Sequence, residues 1–418
     1  MTHVRRSGGF VVAVVLGALV AAVVPASAAT ADQVRDAEYW LADYGIQRAW
    51  QTTRGAGTTV AVIDTGVDSS VRELQGAVVG GTDVSGLGSA DGQTPVGDDP
   101  NHGTLVGSMV AGRGTGTGDG VIGVAPEADL LSVSVGFGSS AVDSDDQIAR
   151  AVRWSVDAGA DVINMSLTRN TLDWPTSWDD AFLYAMEHDV VVVAAAGNRG
   201  SGTTEVGAPA TMPGVLTVAG VDRQGTASFD ASSQGITIGV AAPSEDLVGV
   251  GPGDVHYSWS GTSGATPLVA GIVALVRSAH PELDAADVIN RVVATATPKG
   301  TATPDPLYGY GLVDAAAAVT ASVPAVAANP MGDLAEWIRL HRRADVPAPS
   351  APATNPTEEA PVPTPVADPG QPLAVLLPTV ETMRSTGIPL IVFTVFGGAA
   401  VLVAVGAVRQ FRRARRSG

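Results

Sequence analysis

The chain has no cysteine among its 418 residues. That absence excludes thiol nucleophiles, disulfide bridges and cysteine-ligated metals together. A domain of this size can do without disulfides, because its core can be large, and 45% of the residues are hydrophobic. Positive charge is also scarce. Lys and Arg number 24 against 42 Asp and Glu, a formal net charge of −18. Phosphate binding needs a basic face, so this balance argues against nucleic acid as a partner, and the acidic surface chiefly promotes solubility. There is no internal repeat. No grouping of side chains reads as a calcium site or any other metal site, and no cofactor is expected.

Both ends carry export signals. MTHVRRSGGFVVAVVLGALVAAVVPASAAT has a charged start at Arg5 and Arg6, an apolar stretch from Phe10 to Val24, and Ala26-Ser27-Ala28 for cleavage. Residues 1–28 therefore read as a secretory signal peptide. Near the other end, Ile388 to Val408 is uncharged and long enough to span a bilayer, which predicts a transmembrane helix over 387–408. The tail, 409–418, holds Arg409, Arg412, Arg413, Arg415 and Arg416, and such residues stay on the cytoplasmic side. A sortase anchor would need Leu-Pro-x-Thr-Gly, but Leu377-Pro378-Thr379 runs on into Val380-Glu381. Nine prolines between 346 and 372 cannot build a core and favour extended backbone. Residues 326–386 thus read as a linker with a proline-rich stalk, with a short helix in MGDLAEWIRLHRR (331–343).

Between these ends, over 29–325, apolar runs alternate with helical patterns. VAVID (60–64), LLSVSV (130–135), DVINMSL (161–167), VVVVAAAG (190–197), GVLTVAG (214–220) and ITIGVAAP (236–243) are short and rich in β-branched residues. Near-continuous runs of this kind suit strands buried on both faces. QIARAVRWSVDAG (147–159) and WDDAFLYAMEHD (178–189) have helical spacing. The alternation predicts an α/β fold with a parallel sheet, whose active residues gather at the carboxyl ends of the strands.

Three segments could carry chemistry there. Asp64 ends the first strand, in Asp64-Thr65-Gly66. An aspartic protease would need a second such triplet to share a proton, and there is none. His102 opens a helix in which Gly103, Gly107 and Ala111 form one smooth face. His188, His256 and His280 are better explained as surface or satisfied structural residues. Ser263 lies in SGTSGATP (260–267), at the mouth of an apolar helix with Pro267 in its first turn, where proline is tolerated. The free N–H groups there favour developing negative charge. A hydrolase elbow wants Gly-x-Ser-x-Gly, but Ala265 stands fifth, and the serine follows its partners instead of preceding them. A trypsin-like enzyme is all-β with the order His, Asp, Ser. Asn198, at the end of the strand VVVVAAAG, could donate its side-chain amide to an oxyanion, with the Ser263 N–H as a second donor. It could equally be a turn residue.

VIDTGVD, NHGTLVGSMVAG, AAAGN and SGTSGATPLVAG together resemble the motif blocks of the subtilisin-like serine proteases, in that family's order, over roughly residues 40–320. The resemblance implies a doubly wound parallel sheet, Asp64, His102 and Ser263 as a catalytic triad, Asn198 in the oxyanion hole, and Ser166, Leu167 and Thr168 on the substrate-binding edge. The full layout, with the short lead-in DAEYWLADYGIQRAW, is similar to that of the mycosins. Those are membrane-anchored subtilases associated with type VII secretion. The implied partners are a polypeptide substrate, the membrane through one C-terminal helix, and a type VII secretion membrane complex. Three features depart from the pattern. Cysteine is absent, Gly264 follows the serine where a larger residue is usual, and Thr168 replaces a glycine and would narrow the pocket. A small, flexible residue at 264 suggests that Gly264→Met would be tolerated. Three roles stay open at this point: an active endopeptidase, a scaffold or cap of a secretion complex with dispensable proteolysis, and a general surface protease.

Overall fold

The computed structural model describes residues 33–137 and 142–342. The predicted signal peptide, most of the stalk, the apolar stretch 387–408 and the tail 409–418 lie outside the described residues.

All six apolar runs form strands, within a residue or two of the expected bounds. They are β1 (Thr59–Asp64), β3 (Asp129–Ser134), β4 (Val162–Met165), β5 (Val191–Ala195), β6 (Leu216–Val221) and β7 (Ile238–Pro243). A seventh strand, β2 (Val78–Asp83), completes the sheet, whose order is β2-β3-β1-β4-β5-β6-β7 with every neighbour parallel. The reading of the sequence misses β2 because VVGGTD is glycine-rich and half-exposed, as suits an edge strand. It also misses the hairpin of β8 (Leu247–Gly251) and β9 (Val255–Trp259), which pair antiparallel outside the main sheet.

Helices cover both faces. The first three, α1 (Gln33–Ala37), α2 (Trp40–Asp43) and α3 (Ile46–Ala49), form the N-terminal extension. It is tied down by buried Trp40 and Ile46 and by Trp50 Nε1 donating to Val124 O at 2.8 Å. Next come α4 (His102–Ala111), α5 (Ser144–Asp157), α6 (Thr176–Glu187) and α7 (Thr262–Ala279). α4 packs on α7, and α5 packs on α6. The smooth face of α4 is used as expected: a side chain at Gly103 would collide with the Gly66 carbonyl, and one at Gly107 would press on Val67.

α7 is apolar enough to cross a membrane by length and composition, yet it is the core helix. Every residue from Thr262 to Arg277 is buried except Ser263. Pro267 is not in its first turn, as the sequence suggested, but six positions in. A proline there cannot donate to the carbonyl four residues back, which is that of Ser263. The chain ends its described part with α8 (Ala285–Ala294), α9 (Ala315–Thr320) and α10 (Leu334–His341).

The packed region runs past residue 325, into what the sequence presents as linker. Leu334 is buried, the Trp337 and Trp174 rings lie 4.4 Å apart, and Arg342 bonds Asp179 at 2.8 Å. Two or three anchoring side chains in a polar segment are too sparse to show as a periodic pattern.

Candidate active site

Asp64, Ser166 and Asn198 stand at or just beyond the carboxyl ends of β1, β4 and β5, three strands that lie side by side in the sheet. The loop after β1 turns Asp64 into the protein, where its side chain is 3% exposed. Its Oδ1 accepts the Thr65 N–H at 2.7 Å. Thr65 Oγ1 in turn accepts the Gly103 N–H at 3.0 Å, which docks the start of α4 against β1. His102, the first residue of α4, is thereby brought onto Asp64. Its Nδ1 lies 2.8 Å from Oδ1 and 3.0 Å from Oδ2. A carboxylate only accepts, so Nδ1 carries the proton and Nε2 presents a lone pair.

Burial presses the His102 imidazole towards its neutral form. The charge and hydrogen bond of Asp64, with the charge of Asp99 behind them, outweigh that and hold its pKa above the ordinary histidine range. The ring is 22% exposed, beside a cavity of about 530 Å³ lined by Asp99, Phe137, Ser166, Leu167 and Thr168 among others. All three residues expected on the substrate edge face this cavity.

Ser263 sits in the first turn of α7. The helix is entered through Gly261, whose φ of 144° belongs to glycine alone. A β-carbon there would also come within 3.0 Å of Asn198 Nδ2. Asn198 Oδ1 accepts both the Thr262 N–H at 2.8 Å and the Thr262 hydroxyl at 2.9 Å, and Thr262 Oγ1 accepts the Gly197 N–H at 3.1 Å. The amide carbonyl of Asn198 is thus committed to the helix start, which leaves its amino group as the part of the amide able to donate elsewhere. Thr262, inside SGTSGATP, and Asn164, on β4, belong to this network of hydrogen bonds, although nothing in their local sequence marks them.

The serine itself is held by Ser166. Ser166 Oγ donates to the Ser263 carbonyl at 2.8 Å, the same carbonyl that Pro267 leaves unpaired, and accepts from Asn164 Nδ2 at 3.1 Å. The Ser263 hydroxyl donates to Ser166 O at 3.2 Å. It makes no hydrogen bond to His102 in this resting arrangement. The other histidines are satisfied elsewhere, as expected: His188 by Tyr184 O, His256 by Glu73 and His280 by Val319 O.

This architecture is matched among known proteins. The profile of the subtilase family of peptidases covers residues 55–311. Subtilisin DY of Bacillus licheniformis is 37% identical over 271 residues, 64% of this chain and 93% of that protein. Mycosin-3 of Mycobacterium tuberculosis is 36% identical over 336 residues, 66% of this chain and 70% of that one. The solved structure of MycP3 protease from the type VII (ESX-3) secretion system superposes with a TM-score of 0.57 at 32% identity, covering 70% of this chain and 89% of that chain. The chain belongs to the subtilase family and is a subtilisin-like serine peptidase related to the mycosins.

Proposed function

We propose that Asp64, His102 and Ser263 are the catalytic triad of a membrane-anchored endopeptidase that works outside the cytoplasm. The observation that carries this is the Asp64 carboxylate seated on His102 Nδ1, at the same end of the sheet as a serine on a helix N-terminus. The Ser263 hydroxyl turns from Ser166 O to His102 Nε2, which takes its proton as the oxygen attacks a peptide carbonyl carbon. Asp64 keeps the imidazole in its tautomer and stabilises the imidazolium. The tetrahedral oxyanion accepts from Asn198 Nδ2 and from the Ser263 N–H, which has no acceptor among the described residues. His102 then protonates the leaving amine, the C–N bond breaks, and water, deprotonated by His102, hydrolyses the ester on Ser263. Rotation of one hydroxyl is a small demand, since catalytic hydrogen bonds often form only with substrate in place. Ser166, Leu167 and Thr168 form the edge along which the substrate backbone lies.

The residues outside the described part supply the setting. Cleavage after Ala28 exports the domain, 29–342 is the peptidase with its short extension and the packed segment after 325, 343–386 spaces it from the membrane, 387–408 spans the bilayer, and 409–418 stays inside. This layout, with the kinship to Mycosin-3 and MycP3, supports action beside a type VII secretion complex.

The test is labelling of the full-length protein with a fluorophosphonate. Modification confined to Ser263, and absent from Ser263→Ala, is expected. A correctly folded wild-type protein that stays unlabelled refutes the triad. Export compared between cells carrying Ser263→Ala and cells lacking the protein separates proteolysis from scaffolding: equal loss means that cleavage is the role.

A further inference from the structure

Gly264 directly follows the proposed nucleophile, and the structure shows that its place is already taken. A β-carbon at 264 would drive into Leu247 Cδ1 and lie 3.3 Å and 3.5 Å from Trp259 Cζ2 and Cη2. Leu247 and Trp259 are directly opposed partners in the β8–β9 hairpin, so their side chains leave the same face of it. That face closes on the first turn of α7. The far side of the indole meets the proposed base: the Trp259 and His102 rings are 5.8 Å apart at 81°, an edge-to-face pair. The indole Nε1–H is shielded from water and has no hydrogen-bond partner among the described residues. A buried donor left unpaired is a net cost, so what the ring contributes here is its shape.

We propose that Trp259 is a positioning residue for His102, and that position 264 is glycine because Leu247, with the indole beside it on the hairpin, occupies the space of its side chain. The inference rests on the triad reading above. Asp64 fixes the imidazole at Nδ1, and Trp259 blocks rotation of the ring about that anchor. Nε2 therefore stays aimed at the serine. The wall beside the nucleophile is supplied by the hairpin, by residues 247 and 259, and not by the residue after Ser263. This reverses the expectation that Gly264→Met would be tolerated: the methionine has nowhere to go while the Leu247 side chain is present.

The experiment uses the full-length protein, a fluorogenic peptide that it cleaves, and the variants Trp259→Phe, Trp259→Ala, Gly264→Met and Leu247→Ala/Gly264→Met. Trp259→Phe keeps an aromatic edge and should retain most activity. Trp259→Ala should lower kcat by about 10- to 100-fold, the scale of a misplaced catalytic group, with KM nearly unchanged. Its acid limb in kcat/KM should also move to higher pH, because water then reaches and stabilises the imidazolium. Gly264→Met alone should be impaired in activity or folding, and the double variant should recover at least about 10-fold over it, a gain that only relief of the crowding explains. If Gly264→Met does not fold, recovery is read in the unfolding midpoint of the double variant. If Trp259→Ala does not fold, Trp259→Leu replaces it. An unchanged kcat and acid limb in Trp259→Ala, or a double variant no better than Gly264→Met, overturns the proposal. An unlabelled wild-type Ser263 instead overturns the triad, and the exchange of volume between 247 and 264 is still measured by stability.

Discussion

Ser166→Ala tests how the serine is held. Ser166 Oγ accepts from Asn164 Nδ2 at 3.1 Å and donates to the Ser263 carbonyl at 2.8 Å. Asn164 and Ser166 are both buried, so water does not readily replace the lost hydroxyl. The Ser263 carbonyl cannot fall back on the helix, because the residue four places on is Pro267 and has no N–H. Two buried groups are orphaned at roughly 1–3 kcal/mol each. The longer bond is the weaker one, so about 2–4 kcal/mol is expected in total. For a domain of this size that lowers Tm by roughly 4–8 °C. The freed carbonyl also lets the first turn of α7 shift, and a misplaced Ser263 should cost about 10- to 100-fold in kcat. Circular dichroism melting and peptide hydrolysis on the full-length protein give both numbers. Pro267→Ala supplies the missing donor, so in that background Ser166→Ala should cost only about half as much, by a double-mutant cycle. An equal penalty in both backgrounds refutes the reasoning, because the carbonyl would then not be what Ser166 holds.

Three further outcomes follow from the same geometry. Asp99→Asn removes a charge that helps hold the His102 pKa up. The base must be neutral to act, so the acid limb of kcat/KM moves to lower pH. The displacement shrinks at high salt, because Asp99 is exposed and screened, and a shift to higher pH contradicts the assignment. Stability takes the matching sign: the pair with Asp64 stabilises fully below the unfolded histidine pKa, and that contribution fades as pH rises through the raised folded value. Asn198→Ala should lower kcat by about 100- to 1000-fold, the loss established for the oxyanion donor of a subtilisin. Thr262→Val keeps the Thr262 N–H bond to Asn198 but loses the two bonds of the hydroxyl, to Asn198 Oδ1 and from the Gly197 N–H, and should lose only about 30-fold, two hydrogen bonds' worth. Equal losses would mean that Asn198 serves only to anchor the helix. His256→Ala strips the fully buried Glu73 of a 2.7 Å partner, when its Oε2 already has none among the described residues. A loss of roughly 1–3 kcal/mol in urea unfolding is expected, and an unmoved midpoint would show that Glu73 does not need the histidine.

The parallel sheet was legible because strands buried on both faces must be apolar at every position, as Val190 to Ala196 shows. β2 and the β8–β9 hairpin lack that signature. β2 is an edge strand with one face towards solvent, and two of the five residues of β8 are glycine. In HYSW only a partner element, Leu247 across the hairpin, reveals which side of the chain is apolar. Trp259 therefore gives no sign in the sequence that it lies against His102. How the serine is held was hidden for a related reason. Thr262 and Ser166 are small polar residues, common in any turn, and their hydrogen bonds cross 64 and 97 residues of chain. Local spacing carries no trace of a partner so distant.

The sequence by itself determined the class of the protein. Four short motifs in order name a serine peptidase chemistry, and the apolar runs between them dictate the sheet, because burial and backbone pairing leave that pattern no other regular solution. Tertiary structure alone decided how the site is held. It placed the Asp64 carboxylate on His102, left the Ser263 carbonyl for Ser166 by putting Pro267 inside the helix, and filled the space beside Gly264 with Leu247 and an indole from another element. These are contacts between residues far apart in the chain. They depend on where packed elements bring backbones together, and no residue's own chemistry specifies that.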